Sequence, residues 1–537
     1  MQLCFVVPAA LVFALAASSF ASSERGKAEH VVVVVWDGMR PDFVTLEHAP
    51  TLTALARGGV FFQNNHSVFP SSTNVNGAAI ATGCYPQHNG VISNQEFRPE
   101  ISPHTAFDTS DFPALDAADA RISAAFLAVP TLADILQKAG FRTAIAGSKP
   151  VAQLFDRARR RESQAARESV VLYRGKFLPQ SVERVVTARI GPYPKQKGFP
   201  RDLENAWTTR ALTGVLWKES VPKFSLLWLS EPDLSQHGTA PGSPTSLAAI
   251  KSCDDNLAKV LKALRAKDAL TNTDIFVVSD HGFSTINLAL DAAERLRAAG
   301  FDAVREMNDP PKAGRVLVVS LGGSMEFYVT DHDAETVRRL VDYLQHSDFA
   351  GVILTRTAQE GAFTLAQAHL ETPAAPDVIV ASRWNDQPNE FGTRGQVASD
   401  LGKNLDQGTH STFSPFDMHN TLVANGPDFR HGWTDETPTG NVDLAPTILS
   451  ILGLKATEGM DGRILREAFR DTPAAPAAET HQLVAERKLG DSTWRQTLRL
   501  TTVGKTTYFE QGNGGLVDAS LREAREEAAP QTSRPPR

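Results

Sequence analysis

Six residues of this chain could together hold metal ions: Asp37, Asp233, His237, Asp280, His281 and His410 supply three carboxylates and three imidazoles. Both donor types suit zinc, and two zinc ions about 4 Å apart can grip the attacking and the leaving oxygen of a phosphoryl group. Taken singly, each has an ordinary structural explanation; an Asp before a Gly, as in Asp37-Gly38, is a common turn. What singles them out is that each follows an apolar run or its loop. A nucleophile is also on offer. Ser71, Ser72 and Thr73 precede the small-residue helix Ala78–Thr82, which ends at Gly83. A hydroxyl at a helix N-terminus faces the positive end of the helix dipole, which favours its alkoxide and an incoming phosphate. These residue types are equally the common N-caps, so spacing alone leaves all three hydroxyls open.

Positioning such a site requires elements that bring distant residues together. The apolar run Val31–Trp36 stops at Asp37-Gly38, Phe224–Leu229 at Glu231-Pro232-Asp233, and Ile275–Ser279 at Asp280-His281-Gly282. A shorter run, Val378–Ala381, precedes a Gly- and Asn-rich stretch that leads to His410. Helical patterns lie between the runs, at Pro50–Gly58, Thr131–Gly140 and Leu247–Leu264. This alternation predicts an α/β fold: a doubly wound, mostly parallel sheet with helices on both faces. In such sheets a ligand sits outside the carboxyl ends of the strands, which is where the polar clusters fall. Residues 151–205 and 290–400 interrupt the alternation and read as insertions that cap the site. Thr493–Phe509 alternates and turns at Gly504-Lys505, which predicts a hairpin. The expected organisation is a signal peptide over 1–21, a catalytic domain over 30–465, an extension over 466–520 and a disordered tail over 521–537.

Composition narrows the class. A chain of 537 residues that is 42% hydrophobic and 21% charged excludes wholesale disorder, collagen and coiled coil. The net charge of −7 argues against a partner such as a nucleic-acid duplex, though not against a nucleotide substrate. Leu3–Ala17 is short for a bilayer span and suits the apolar core of a secretory signal peptide, followed by a small-residue cleavage site at Ser19-Phe20-Ala21. No Lys or Arg precedes Arg25, so the usual positive start is missing, and an uncleaved anchor is the rival reading. Export to the periplasm or medium is expected, with no stable membrane span in the mature chain. Cys84 and Cys253 would remain after cleavage, either as a pair or as buried thiols.

The motifs resemble those of the alkaline phosphatase superfamily, in its nucleotide pyrophosphatase/phosphodiesterase (type I phosphodiesterase) branch. The resemblance rests on Val35-Trp36-Asp37-Gly38-Met39-Arg40-Pro41-Asp42, on Phe69-Pro70-Ser71-Ser72-Thr73 with Thr82-Gly83-Cys84-Tyr85-Pro86, on Glu231-Pro232-Asp233 with His237, on Ser279-Asp280-His281-Gly282, and on Gly408-Thr409-His410. Asn425-Gly426-Pro427-Asp428-Phe429 and Asn441-Val442-Asp443-Leu444-Ala445-Pro446-Thr447 resemble the family's closing stretch. The resemblance implies two zinc ions per chain. Asp233, His237 and His410 would hold one; Asp37, Asp280 and His281 would hold the other, with the Thr73 oxygen. It further implies Thr73 as nucleophile, a phosphothreonine intermediate, and Asn94 as donor to a non-bridging phosphate oxygen. The implied substrate is a small phosphodiester or a nucleotide. Two departures bear on substrate choice: Val75-Asn76-Gly77 stands where the family often has Pro-Asn-His, and Asn89-Gly90 where it often has His-Gly.

Three alternatives differ in what they require. A sulfatase needs Cys-x-Pro-x-Arg beginning where Thr73 stands, and Val75 and Gly77 do not fit it. A phosphomonoesterase or phosphonate hydrolase on the same metals wants an added cation near the nucleophile. No Lys or Arg lies between Arg57 and Arg98, which favours the diester unless an insertion supplies one. An inactive secreted binding protein would be expected to have lost ligands. Lys149, in Ser148-Lys149-Pro150 after a strand-like run, reads as a loop lysine rather than a phosphate contact, and His66, His88, His104 and His419 match no ligand position.

Overall fold

The computed structural model describes residues 26–111, 126–157, 161–307, 312–401, 404–472 and 475–518. At its centre lies the strand His30–Trp36, flanked in parallel by Phe224–Leu229 and Thr273–Val278. Hydrogen-bonded on both sides and covered on both faces, this strand has no position from Val31 to Trp36 that meets water, hence its unbroken valine run. Alternate residues feed different cores. Val31, Val33 and Val35 pack with Trp228, Phe276 and the helix Thr73–Thr82. Val32, Val34 and Trp36 pack with Ile250, Cys253 and Leu257 of the helix Pro244–Ala266 on the opposite face.

The sheet has nine strands. Thr143–Gly147 runs parallel to Phe224–Leu229, and Val170–Tyr173 continues the parallel order. Leu422–Asn425 is antiparallel to Thr273–Val278. This is the expected doubly wound, mostly parallel architecture. Its consequence for the site is a matter of register. Trp36 pairs with Leu229 and Val35 with Val278, so three carboxyl ends stop side by side. Asp37, Asp233 and Asp280 follow them.

Several details differ from expectation. Val378–Ser382 is a strand, but it belongs to a separate six-stranded sheet with Ser324–Val329 and Ala350–Thr355. That sheet and the helix Ala334–Gln345 share a core of their own. An apolar run announces burial, not which sheet provides it. His410 instead follows Gly408–Thr409 in a four-stranded sheet. Within 151–205, Val170–Tyr173 and Lys176–Leu178 extend the main sheet, so that part of the region is no cap. The C-terminal hairpin is a three-stranded sheet of Ala478–Leu489, Ser492–Val503 and Thr506–Asp518.

Cys84 and Cys253 are separate buried thiols. Among the described residues no helix is long and apolar enough to cross a membrane. The signal-like stretch and the tail from Leu521 lie outside the described residues.

Candidate active site

Thr73 is the first residue of the helix Thr73–Thr82, which begins earlier than the small-residue pattern suggested. Ser72 occupies the N-cap position but makes no capping bond, and its hydroxyl is buried without a hydrogen bond. Ser71 turns away and donates to the Thr412 carbonyl at 2.8 Å. Only the Thr73 hydroxyl of the three faces the polar cluster: its Oγ1 lies 3.3 Å from His281 Nε2 and 3.1 Å from Lys149 Nζ. Geometry thus separates hydroxyls that spacing could not.

The histidines are oriented by the backbone. His237 Nδ1 lies 3.0 Å from the Gly408 carbonyl, His281 Nδ1 2.9 Å from that of Gly282, and His410 Nδ1 2.8 Å from that of Ser71. A carbonyl only accepts, so each Nδ1 carries a proton and each Nε2 offers a lone pair inward. Burial, reinforced by His281 and His237, holds the His410 imidazole well below its ordinary range and therefore neutral.

These lone pairs converge as metal ligands would. Asp233 Oδ1 is 3.2 Å from His237 Nε2 and 3.5 Å from His410 Nε2, and the two nitrogens are 3.2 Å apart. Ligands bonded at 2.0–2.1 Å around tetrahedral zinc are about 3.3 Å from one another. Around His281 Nε2, Asp280 Oδ2 lies at 3.4 Å, Asp37 Oδ1 at 3.7 Å and Thr73 Oγ1 at 3.3 Å. Asp233 also reaches to within 3.9 Å of His281 Nε2, so it stands between the two groups. Asp233 Oδ1 and Asp280 Oδ2 are buried without hydrogen bonds. Donors of this kind, crowded and unsatisfied, fit a pair of divalent cations.

Charge makes the same demand. Three fully buried carboxylates face one ammonium, Lys149. Lys149 Nζ donates to Asp37 Oδ1 at 2.9 Å, Asp233 Oδ2 at 2.8 Å and Thr73 Oγ1 at 3.1 Å. Burial and the Asp280 charge push the Asp37 carboxyl up. Against the opposing pull of burial, Lys149 and His237 hold Asp233 well below the usual carboxylate range. Two negative charges remain for bound cations to neutralise.

A profile of the type I phosphodiesterase / nucleotide pyrophosphatase family matches residues 31–404. The chain belongs to that family. It is therefore a phosphoric ester hydrolase of a metal-dependent family. The chain is 21% identical over 441 residues to the bis(5'-adenosyl)-triphosphatase enpp4 of Mus musculus, which covers 81% of this chain and 80% of that protein. Venom phosphodiesterase of Macrovipera lebetinus is 23% identical over 486 residues, 86% of this chain and 48% of its own length. Among solved structures, human ectonucleotide pyrophosphatase / phosphodiesterase 5 superposes with a TM-score of 0.57 at 15% identity, covering 82% of this chain and 100% of that one. The murine protein, in an inactive threonine-to-alanine form with AMP, gives 0.56 at 16% identity, with the same coverage. These superpositions speak to the fold.

In this phosphodiesterase-family chain Lys149 differs most from the sequence expectation of a loop lysine, since its ammonium reaches Asp37, Asp233 and Thr73. It follows the strand Thr143–Gly147, the neighbour of Phe224–Leu229, so the placement rule that singled out Asp37 applied to it too. Its approach depends on two glycines. A Cβ on Gly77 would strike Val151, and one on Gly147 would strike Ala152. Both residues struck lie just after Lys149 in the segment Pro150–Phe155. Gly77, one of the family departures, thus makes room for the segment that carries the extra cation.

Asn94 Oδ1 accepts the Asn74 N–H at 2.7 Å, which directs its NH2 away from that backbone. Trp228, unremarked in the sequence, donates Nε1–H to Asp37 Oδ2 at 2.7 Å. Asn441, from the closing stretch, donates to the Asp280 carbonyl at 2.7 Å and to Asn76 Oδ1 at 2.9 Å. It joins the helix Thr73–Thr82 to the loop that carries Asp280 and His281.

Proposed function

We propose that this chain is an exported two-zinc phosphodiesterase/nucleotide pyrophosphatase that acts through a phosphothreonine on Thr73. The observation that carries the reading is the triangle of Asp233, His237 and His410 donors, whose 3.2, 3.5 and 3.2 Å edges match one face of a zinc tetrahedron. Asp233, His237 and His410 would hold one ion, and Asp37, Asp280, His281 and Thr73 the other. Bound zinc would acidify a hydroxyl and neutralise charge on phosphoryl and leaving oxygens. Thr73 Oγ1, its proton passed to solvent water, attacks phosphorus in line, and the leaving oxygen departs on the opposite side and takes up a proton from water. Asn94 donates from its NH2 to a non-bridging oxygen, and Lys149 donates to the reacting centre from beside Thr73. Water then displaces Thr73 from phosphorus, and two inversions give net retention. The inactive threonine-to-alanine murine relative with AMP supports both the nucleophile and a nucleotide substrate.

Lys149 supports a second reading, phosphomonoesterase or phosphonate hydrolase activity. A monoester dianion carries one more negative charge than a diester, and Lys149 places the cation it wants 3.1 Å from the nucleophile. A hydrolysis panel with added zinc tests both: bis-nitrophenyl phosphate, nitrophenyl phosphate, a dinucleotide and a glycerophosphodiester. Diester turnover above monoester turnover supports the first reading; the reverse order, lost in Lys149→Met, supports the second.

Export rests on Leu3–Ala17. Mass spectrometry of exported protein should find a new N-terminus near Ser22, and an intact Met1 on membrane-bound chain would favour an anchor. We further propose that 30–465 forms the catalytic domain and that 466–520 packs on it as an extension.

A further inference from the structure

Three side chains outside the cleft converge from distant parts of the chain. His66 ends the short strand Asn65–His66 and bridges to His419, which follows the helix Pro415–Met418. Glu510 comes from the last strand, Thr506–Asp518. Its Oε2 lies 3.2 Å from His66 Nε2 and 3.4 Å from His419 Nε2. The imidazoles stand 4.4 Å apart between ring centres.

The orientation of two of the three groups, His66 and Glu510, is set by a neighbour. His66 Nδ1 lies 2.9 Å from the Thr439 carbonyl and so carries the proton. Its Nε2 is therefore turned toward Glu510. His66 is 1% exposed, and this Nε2 makes no hydrogen bond, although a carboxylate oxygen is so near. A proton on Nε2 would point past that oxygen, and a bare lone pair would repel it. Thr501 Oγ1 donates to Glu510 Oε1 at 2.7 Å, which reserves Oε2 for the cluster. Tyr508 stacks on the His66 ring and donates its OH to Asp443 Oδ2 at 2.8 Å.

We propose that His66, His419 and Glu510 form a further metal site, distinct from the catalytic pair, for a divalent transition ion such as zinc. The 3.2 and 3.4 Å separations match the edge of about 3.3 Å expected between zinc ligands. Two imidazoles and a carboxylate are suitable donors, and the Thr439 carbonyl and the Thr501 hydroxyl orient His66 and Glu510 as supporting groups around metal ligands commonly do. His419 and Glu510 are 25% and 12% exposed, so the outer side is open to water as a fourth ligand. The ion would clamp the C-terminal sheet to the catalytic domain. One ligand, His66, ends the strand that precedes Thr73, and another, His419, follows the segment that carries His410.

The test is metal content, measured by mass spectrometry on zinc-loaded, dialysed wild type, His419→Ala and Glu510→Gln. Each variant should hold one equivalent less than wild type while keeping its circular dichroism and its diester turnover at saturating zinc. The difference carries the result, so it is readable whether or not the catalytic residues hold the two ions proposed above. Equal content in wild type and both variants overturns the proposal. Crystals of wild type grown with zinc give a check that needs no variant. An anomalous peak among the three side chains supports the site, and its absence at full catalytic occupancy overturns it.

Discussion

At Thr73, one hydroxyl faces the polar cluster and its two neighbours do not. Thr73→Ala should lower turnover by several orders of magnitude and leave zinc content nearly unchanged, because Asp37, Asp280 and His281 remain around the vacated oxygen. Thr73→Ser keeps a hydroxyl and should retain a substantial share. Single-turnover assays beside elemental analysis check both, and acid-trapped phosphoenzyme should carry its label on Thr73. Ser71→Ala and Ser72→Ala should keep most activity. Neither hydroxyl caps the helix; Ser71 loses one bond to Thr412, and Ser72 loses none. For Lys149→Met, the loss should be larger on nitrophenyl phosphate than on the diester, because the ammonium matters most where charge is greatest. The six residues that converge in the polar cluster were legible in sequence because each follows a strand or its loop. Lys149 also follows a strand, but its reach across to Asp37 and Thr73 depends on which strands are neighbours, which no local pattern names.

Among the elements, the segment Pro150–Phe155 and the helix Thr73–Thr82 are held close by what Gly77 lacks. Gly77→Ala should push Val151 outward, at a cost of about 1–3 kcal/mol typical of an overfilled core. It should also weaken monoester turnover by displacing Lys149, a pairing that thermal melts and the two-substrate assay would show. The C-terminal sheet offers a pH test. Burial raises the Asp443 carboxyl to about 6, although Arg463 N–H, Gly440 N–H and Tyr508 OH all donate to it. A raised carboxyl binds its proton more tightly in the folded chain than in the unfolded one. Its contribution to stability is therefore whole below about pH 4 and is lost as pH rises through about 6. Asp443→Asn should be most harmful near pH 4, and its deficit should shrink by up to about 3 kcal/mol by pH 7 in denaturant titrations. The strand Ala478–Leu489 escaped the sequence reading because much of its length is exposed and its charged residues mask the alternation. Val378–Ser382 was legible as a strand, yet nothing local to it names its partners.

For the molecule as a whole, the C-terminal sheet is part of the folded unit rather than an appendage. Leu498 and Phe509 are buried in one core with Phe69 and Phe413, whose stacked rings border the loop to Thr73. Phe509→Ala should cost about 3–5 kcal/mol, read as a lower melting temperature, and should lower turnover with it. The doubly wound plan was legible because buried parallel strands must be apolar throughout. The second sheet was not, since nothing local to its strands names their partners, and neither was the packing of the extension, which joins residues as distant in the chain as Phe69 and Phe509. One further consequence follows from the three histidines whose Nδ1 protons go to the carbonyls of Gly408, Gly282 and Ser71. Every amino acid brings the same carbonyl, so no change of side chain at those positions deletes the acceptor. The imidazole tautomers are inherited from the path of the main chain. The orientation of the three imidazoles is thereby buffered against side-chain substitution at the residues that support it.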